Sequence, residues 1–130
     1  MPHLIFEATP VIRRVIDFPQ LAKAIHQGLA SAGHALLGDL KSRLYDADAF
    51  LAGDDPSGQF IVVRLFLTKP RPPLIQRAMG QLIHDAIHEA IAHAGLDGWW
   101  QCCVLVIDAS GAPYIKTVSQ NDGVAREAVA

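Results

Sequence analysis

Two consecutive stretches decide the fold: QFIVVRLFLT at residues 59–68 and PPLIQRAMGQLIHDAIHEAIAHAG at residues 72–95. The first is rich in β-branched and aromatic residues, which is typical of a strand buried in a sheet. The second carries Ile83, Ile87 and Ile91 at the spacing of one helical face, with prolines at its start and a glycine at its end. We therefore predict a strand followed by a long helix whose isoleucine stripe faces the sheet.

The same order of strand, helix and strand occurs twice along the chain. WQCCVLVIDA at residues 100–109 predicts a strand after the long helix. Upstream, HLIFEAT at 3–9, FPQLAKAIHQGLASAG at 18–33 and DLKSRLYDA at 39–47 predict a strand, a helix and a strand. The first strand of each unit runs into a proline, and the second strands end alike, in LYDA and VIDA. The apolar positions of the first helix are Leu21, Ala24, Ile25, Leu29 and Ala32.

A strand–helix–strand unit forms a parallel strand pair with a right-handed crossover. Two such units predict an α/β (α+β) fold, a four-stranded sheet with both helices on one face. We expect one domain over residues 1–130, with internal repeats at roughly 2–58 and 59–118. The last segment, PYIKTVSQ at 113–120, is predicted to be only a short strand. The second face of the sheet therefore has no helix to cover it.

The composition favours an oligomer and argues against membrane and nucleic-acid partners. Hydrophobic residues make up 51% of the chain and the mean hydropathy is +0.23, which suits a protein that buries surface between subunits. No apolar run approaches the ~18 residues of a membrane span, and the net charge of −2 offers no footprint for nucleic acid. Residues 1–10 lack the features of a signal peptide, so we expect a cytoplasmic protein.

The cysteines and histidines predict neither a disulfide nor a metal site. Cys102 and Cys103 are adjacent on a predicted strand, so their side chains point to opposite faces. His84 and His88 lie four residues apart on the long helix and could share a metal ion. No third ligand stands at an expected spacing, so we expect no metal.

The candidate site consists of the first residues and three basic side chains. If Met1 is removed, Pro2 becomes a terminal secondary amine that can act as a base or a nucleophile. Lys41 and Arg43 lie two apart on a predicted strand and share one face, either around an anion or along a solvated edge. Arg71 lies in the loop between a strand and a helix, where binding residues are common.

Together these features resemble the tautomerase superfamily and, within it, the 5-carboxymethyl-2-hydroxymuconate isomerase family. The resemblance covers nearly the whole chain. It implies two β-α-β units per chain, a homotrimer, a small anionic substrate and no cofactor. Its signs are MPHLIFE at 1–7, LKSRLYDAD at 40–48, FIVVRLFLTKPRP at 60–72 and YIKTVSQND at 114–122.

The resemblance also implies a mechanism. Aminopeptidases normally remove methionine before proline, and Pro2 would then be the general base that converts an unsaturated 2-hydroxy dicarboxylate to its 2-oxo isomer. Lys41, Arg43 and Arg71 match the basic positions of the family and would hold the anionic groups. The family usually has arginine at the position of Lys41, and a lysine there lacks the bidentate fork.

Two other functions are compatible with the same residues. The first keeps the amine but changes the reaction to broad keto–enol tautomerisation, or to hydration or dehalogenation of an unsaturated acid. Hydration and dehalogenation usually need a further acid near the amine, for which Glu7 is the candidate. The second is a trimeric binding protein without catalysis.

Overall fold

The fold is a four-stranded sheet with helices, seen in a computed structural model that describes residues 1–119. The strands are β1 (His3–Ala8), β2 (Lys41–Asp46), β3 (Gln59–Leu67) and β4 (Trp100–Asp108). The helices are α1 (Pro10–Val15), α2 (Phe18–Ser31) and α3 (Pro73–Ala94), and a short 3-10 turn covers Leu37–Asp39.

The sheet has the order β2-β1-β3-β4. β1 pairs with β2 in parallel, β3 pairs with β4 in parallel, and β1 and β3 run antiparallel to each other in the centre. Each parallel pair is connected through a helix, α2 in the first half and α3 in the second. The prediction of two β-α-β units in one four-stranded sheet is confirmed.

The core lies between one face of the sheet and the two long helices. Alternate residues of β1 and β3 are fully buried on this face, including Leu4, Phe6 and Val63. The predicted isoleucine stripe of α3 is also fully buried, which confirms its orientation toward the sheet. The helix residues that complete the core are Leu21, Ala22, Ile25, Leu29, Met79, Ile83, Ile87 and Ile91.

Two details of the first helical region differ from the sequence-based prediction. A separate helix, α1, precedes α2 and begins at Pro10, because the proline ring is already fixed in a helical φ. In α2 the buried alanine is Ala22, whereas Ala24 and Ala32 are exposed. Alanine is small enough to be tolerated on either face, so periodicity alone did not place these three residues.

The predicted strand at residues 113–120 is wrong for its described part, because residues 113–119 form no strand. A turn closes β4 instead: Asp108 Oδ1 accepts from the Ser110 amide at 2.9 Å, and the Ala112 amide donates to the Ala109 carbonyl at 3.0 Å. Pro113 then follows without an amide hydrogen for a ladder. Gln120 lies outside the described residues.

The second face of the sheet is covered by no helix of the described chain, as predicted. We call it the open face; its apolar members include Ile5, Val62 and Leu105, and Leu105 is 46% exposed. It also carries charge, because Glu7 and Arg64 form an ion pair of 2.6 Å there. Within residues 1–119, no helix has the length and hydrophobicity required of a membrane span.

Candidate active site at the amino terminus

The amino terminus leads into β1, a central strand of the sheet, rather than into an edge strand. Pro2 is buried just before β1, and its carbonyl accepts a hydrogen bond from the Lys41 amide of β2 at 3.2 Å. On the other side the Met1 ammonium donates to Thr68 Oγ1, directly after β3, at 2.6 Å. The start of the chain is therefore held between the ends of its two neighbouring strands.

Two cavities meet at this terminus, one of about 400 Å³ and one of about 290 Å³. Met1, Leu36 and Asp39 line both of them. The larger cavity, which we call the terminal cavity, is further lined by Gly38, Lys41, Lys116, Thr117 and Val118. The smaller cavity, the proline cavity, is further lined by Pro2, Ala30, Gly33, His34, Ala35, Lys69 and Arg71.

The electrostatic surroundings lower the pKa of the terminal amine. Burial is the largest cause, since it disfavours the charged form of the Met1 amine. Asp39 acts in the opposite direction and raises this pKa. Lys116, Arg71 and Lys69 each lower it further. A terminal amine in this place is thus biased toward its neutral, proton-accepting form.

Arg71 holds the backbone in the wall of the proline cavity through hydrogen bonds. Its Nε and Nη2 donate to the His34 carbonyl at 3.3 and 3.1 Å, and its Nη1 donates to the Lys69 carbonyl at 3.2 Å. The segment that it holds follows α2, which ends where Gly33 takes a left-handed φ of 77°. Arg71 therefore lies beside the terminus, with hydrogen-bond donors engaged by the backbone.

Lys41 and Arg43 share the open face, but they occupy different surroundings. The Lys41 ammonium donates to the Gly38 carbonyl at 2.6 Å in the wall of the terminal cavity. Arg43 Nη1 donates to His3 Nδ1 at 2.9 Å and lines neither cavity. Because a guanidinium only donates, Nδ1 must be an acceptor. A ring whose Nδ1 accepts from a guanidinium is neutral, and burial first and Arg43 second lower the pKa of His3.

The structure adds residues that the sequence did not single out. Asp39, Lys69 and Lys116 surround the terminus, yet each lies in an irregular or turn segment where charge has no periodic signal. Glu7, the acid considered for a role beside the amine, is wrong for that role. It lies five residues along β1, roughly 16 Å away at the rise of a strand, and is paired with Arg64.

The second repeat has a cavity at the corresponding place, the start of β3, with a volume of about 450 Å³. We call it the β3 cavity; no charged side chain of the described residues lines it. Burial raises the pKa of the neighbouring Cys102 thiol to about 11, so this cysteine is not a thiolate nucleophile. The β3 cavity is lined by Leu51, Ala52, Gly53, Phe60, Ile61, Val62, Trp99, Gln101 and Cys103.

The helix histidines make contacts with one another and with aromatic surroundings. The rings of His84 and His88 stack at a centroid distance of 6.1 Å, and His88 lies 5.6 Å from the Trp100 ring. His84 Nδ1 is 3.1 Å from Asp85 Oδ1. Across residues 1–119, no group of three or more histidine, cysteine or acidic side chains is arranged to hold a metal ion.

Comparison with known proteins identifies relatives of this arrangement. The family model for 5-carboxymethyl-2-hydroxymuconate isomerase matches residues 2–96. A solved 5-carboxymethyl-2-hydroxymuconate isomerase from Deinococcus radiodurans R1 is 21% identical, with a TM-score of 0.78 over 91% of this chain and 90% of that one. No curated protein has a significant sequence match to the chain.

Two further solved structures share the fold. A 5-carboxymethyl-2-hydroxymuconate delta-isomerase is 16% identical, with a TM-score of 0.76 over 95% of this chain and 91% of that one. A fused 4-OT wild-type symmetric trimer is also 16% identical, with a TM-score of 0.57 over 83% of this chain and 87% of that one. At these identities the likeness concerns the fold.

The contacts of Arg71 predict a structural effect of its removal. We expect Arg71→Gln to lower the free energy of unfolding by about 1.5–3 kcal/mol, because hydrogen bonds from a charged donor are lost at a half-buried site. The measurement is denaturant unfolding at a fixed protein concentration. Arg77→Gln, at an exposed position on α3, is the matched control. Equal unfolding midpoints for the two variants would show that Arg71 does not fasten this segment.

Proposed function

The chain belongs to the 5-carboxymethyl-2-hydroxymuconate isomerase family, and from this premise we propose that it moves a proton within an unsaturated 2-hydroxy acid with two or more carboxylates, with Pro2 as the general base. One observation carries the proposal. Pro2 is buried at the head of a central strand, next to cavities lined by Lys41, Lys69, Arg71 and Lys116. A base beside several cations suits an anionic substrate whose reaction develops further negative charge.

Removal of Met1 is the step that creates the base. While Met1 is attached, the Pro2 nitrogen is an amide nitrogen and has no basic lone pair. Once Met1 is gone, the nitrogen becomes a secondary amine whose lone pair is oriented by the pyrrolidine ring. Met1 lines both the terminal and the proline cavity. Its departure would leave the Pro2 amine at the proline cavity, which Pro2 lines, and would open the space that Met1 occupies between the two cavities.

The proposed reaction is a balanced proton shift. The neutral Pro2 amine removes the proton of the 2-hydroxyl group, and the electron pair moves through the conjugated double bonds. The C2–oxygen bond becomes a carbonyl, and the proton returns to a carbon of the former diene. Substrate and product are isomers, so no oxidant, reductant or second substrate enters the reaction.

The cations are proposed to bind the carboxylates and to stabilise the dienolate oxygen. Lys41 presents its ammonium at the wall of the terminal cavity. Arg43 lies two residues further along the same face, beside a neutral His3. Arg71 contributes its positive charge to the proline cavity while its donors hold the backbone. Fixed charges of this kind lower a barrier because they need no reorganisation during the reaction.

We also propose that the chain forms a homotrimer. The open face leaves apolar side chains such as Val62 and Leu105 without a covering element within the described chain. The relative that is a fused 4-OT symmetric trimer has the same fold, which supports a trimer here. Subunit contact would bury this face and account for the high apolar content of the chain.

A specific observation supports one alternative reaction. Hydration or dehalogenation of an unsaturated acid needs a second acid near the amine, and Asp39 lines both cavities beside Met1. Assaying the same preparation with a 2-hydroxymuconate, with the enol of phenylpyruvate and with a 3-haloacrylate separates the three reactions. Release of halide without isomerisation would favour the alternative.

The first prediction concerns the nitrogen of Pro2. Mature protein should have lost the mass of one methionine, and homogeneous protein that retains Met1 should isomerise about 10²–10⁴-fold more slowly, since it lacks the general base. Intact mass and initial rates measure the two quantities. Pro2→Ala, processed to a primary amine, is the companion variant and should lose most of the rate without loss of fold. Full activity with Met1 in place would eliminate Pro2 as the base.

The second prediction concerns pH. An amine base works only when unprotonated, so kcat/KM should rise with pH through the Pro2 pKa, which we expect below the ~8 of a free α-amine. Asp39 raises the pKa of a terminal amine here and Lys69 lowers it. Asp39→Asn should therefore move the midpoint to lower pH and Lys69→Gln to higher pH. Movement of both midpoints in one direction would contradict this assignment.

The third prediction concerns assembly. Sedimentation or light scattering at micromolar concentration should give the mass of three chains. Leu105→Lys, on the open face directly across from Arg64, should weaken the trimer because it adds a second, unpaired positive charge to the contact. Leu74→Lys is the control, since Leu74 is 79% exposed on α3. A stable monomer of the parent chain would remove the explanation offered for the open face.

A further inference from the structure

Lys116 is brought to the amino terminus by the irregular segment that follows β4. Its ammonium lies 3.9 Å from Asp39 Oδ1, and the two side chains are only 11% and 13% exposed. Both residues line the terminal cavity together with Met1. A side chain this little exposed keeps its charge at the wall of the cavity, where an anionic partner can reach it.

The pair with Asp39 leaves the ammonium of Lys116 incompletely satisfied. A separation of 3.9 Å is an ion-pair contact, because a hydrogen bond from nitrogen to oxygen is near 2.9 Å. An ammonium has three N–H donors, and none of the hydrogen bonds found within residues 1–119 uses that of Lys116. The donors are therefore available to an anion that enters the cavity.

Two of the neighbouring cations, Arg71 and Lys41, are more fully engaged. Arg71 donates hydrogen bonds to the backbone carbonyls of His34 and Lys69. Lys41 donates to the Gly38 carbonyl at 2.6 Å. Compared with these two cations, Lys116 combines low exposure with a loose partner, and that combination suits a binding contact better than a structural one.

We propose that Lys116 binds one carboxylate of the dicarboxylate substrate and so sets the preference of the site for dianions. This assignment rests on the proposed function and deepens it. In the free protein Asp39 partners the ammonium, and the substrate carboxylate takes that place when it binds. The terminal cavity, at about 400 Å³, falls within the range of small-molecule sites.

The assignment predicts a loss that depends on the charge of the substrate. Lys116→Gln should raise KM for a 2-hydroxymuconate dicarboxylate about 10- to 100-fold, as expected for one charge-assisted hydrogen bond. KM for the monocarboxylate enol of phenylpyruvate should change little. Lys116→Arg should restore much of the affinity, and Lys23→Gln, at an exposed position on α2, is the matched control. Rates are measured above the pH midpoint of the amine.

A second variant tests the exchange of partners. Asp39→Asn removes the competing carboxylate, so it should lower KM for the dicarboxylate while Lys116 is present and have no such effect in the Lys116→Gln background. An equal change of KM for both substrates in Lys116→Gln, or weaker dicarboxylate binding in Asp39→Asn, would overturn the assignment.

Direct binding separates this inference from the proposed function. Calorimetry with adipate as the dicarboxylate and hexanoate as the monocarboxylate requires no turnover. One outcome is that the parent protein isomerises no substrate but binds adipate, and that Lys116→Gln abolishes this binding. That result would refute the proposed function and retain the anion site. Isomerisation that depends on Pro2, with parental KM and adipate affinity in Lys116→Gln, would refute the role of Lys116 alone.

Discussion

The pairing of β1 on both of its edges is the constraint on which the rest of the structure depends. β1 is the first strand of the chain and has β2 on one side and β3 on the other. Its alternate residues, among them Leu4 and Phe6, are fully buried against the helices. A strand fixed on two edges and one face cannot move without disrupting the sheet. Pro2, the buried residue just before this strand, is therefore placed with the accuracy of core packing, which is what the proposed base of a proton transfer needs.

Regular elements could be predicted from the sequence because burial repeats along them. The strand over residues 59–67 and the isoleucine stripe of α3 follow from alternation and helical spacing alone. Helix α1 and the irregular path of residues 113–119 could not be predicted in this way. The first depends on a proline at a helix start, and the second on a turn after β4 rather than on a periodic pattern.

The residues of the candidate site also differ in whether a periodic pattern reveals them. The alternation of Lys41 and Arg43 on a strand predicts a shared face, and the structure places them on one face, though only Lys41 reaches the terminal cavity. Asp39 and Lys116 meet through a contact between segments distant in sequence. A charge in a loop has no periodicity, and its partner is determined only by the fold. The hydrogen bonds of Arg71 to backbone carbonyls are equally invisible in a sequence.

The β3 cavity makes the two β-α-β units chemically unequal. It lies at the start of a strand that continues from preceding chain, so its backbone nitrogen can never become a free amine, and its described lining is uncharged. Only the first half of the chain can therefore carry the chemistry proposed for the terminus. The requirement on the start of β3 is packing, with side chains such as Trp99 and Cys103 at an uncharged cavity. Two units of like fold thus present unlike ends, one with charged side chains around an amine and one without them.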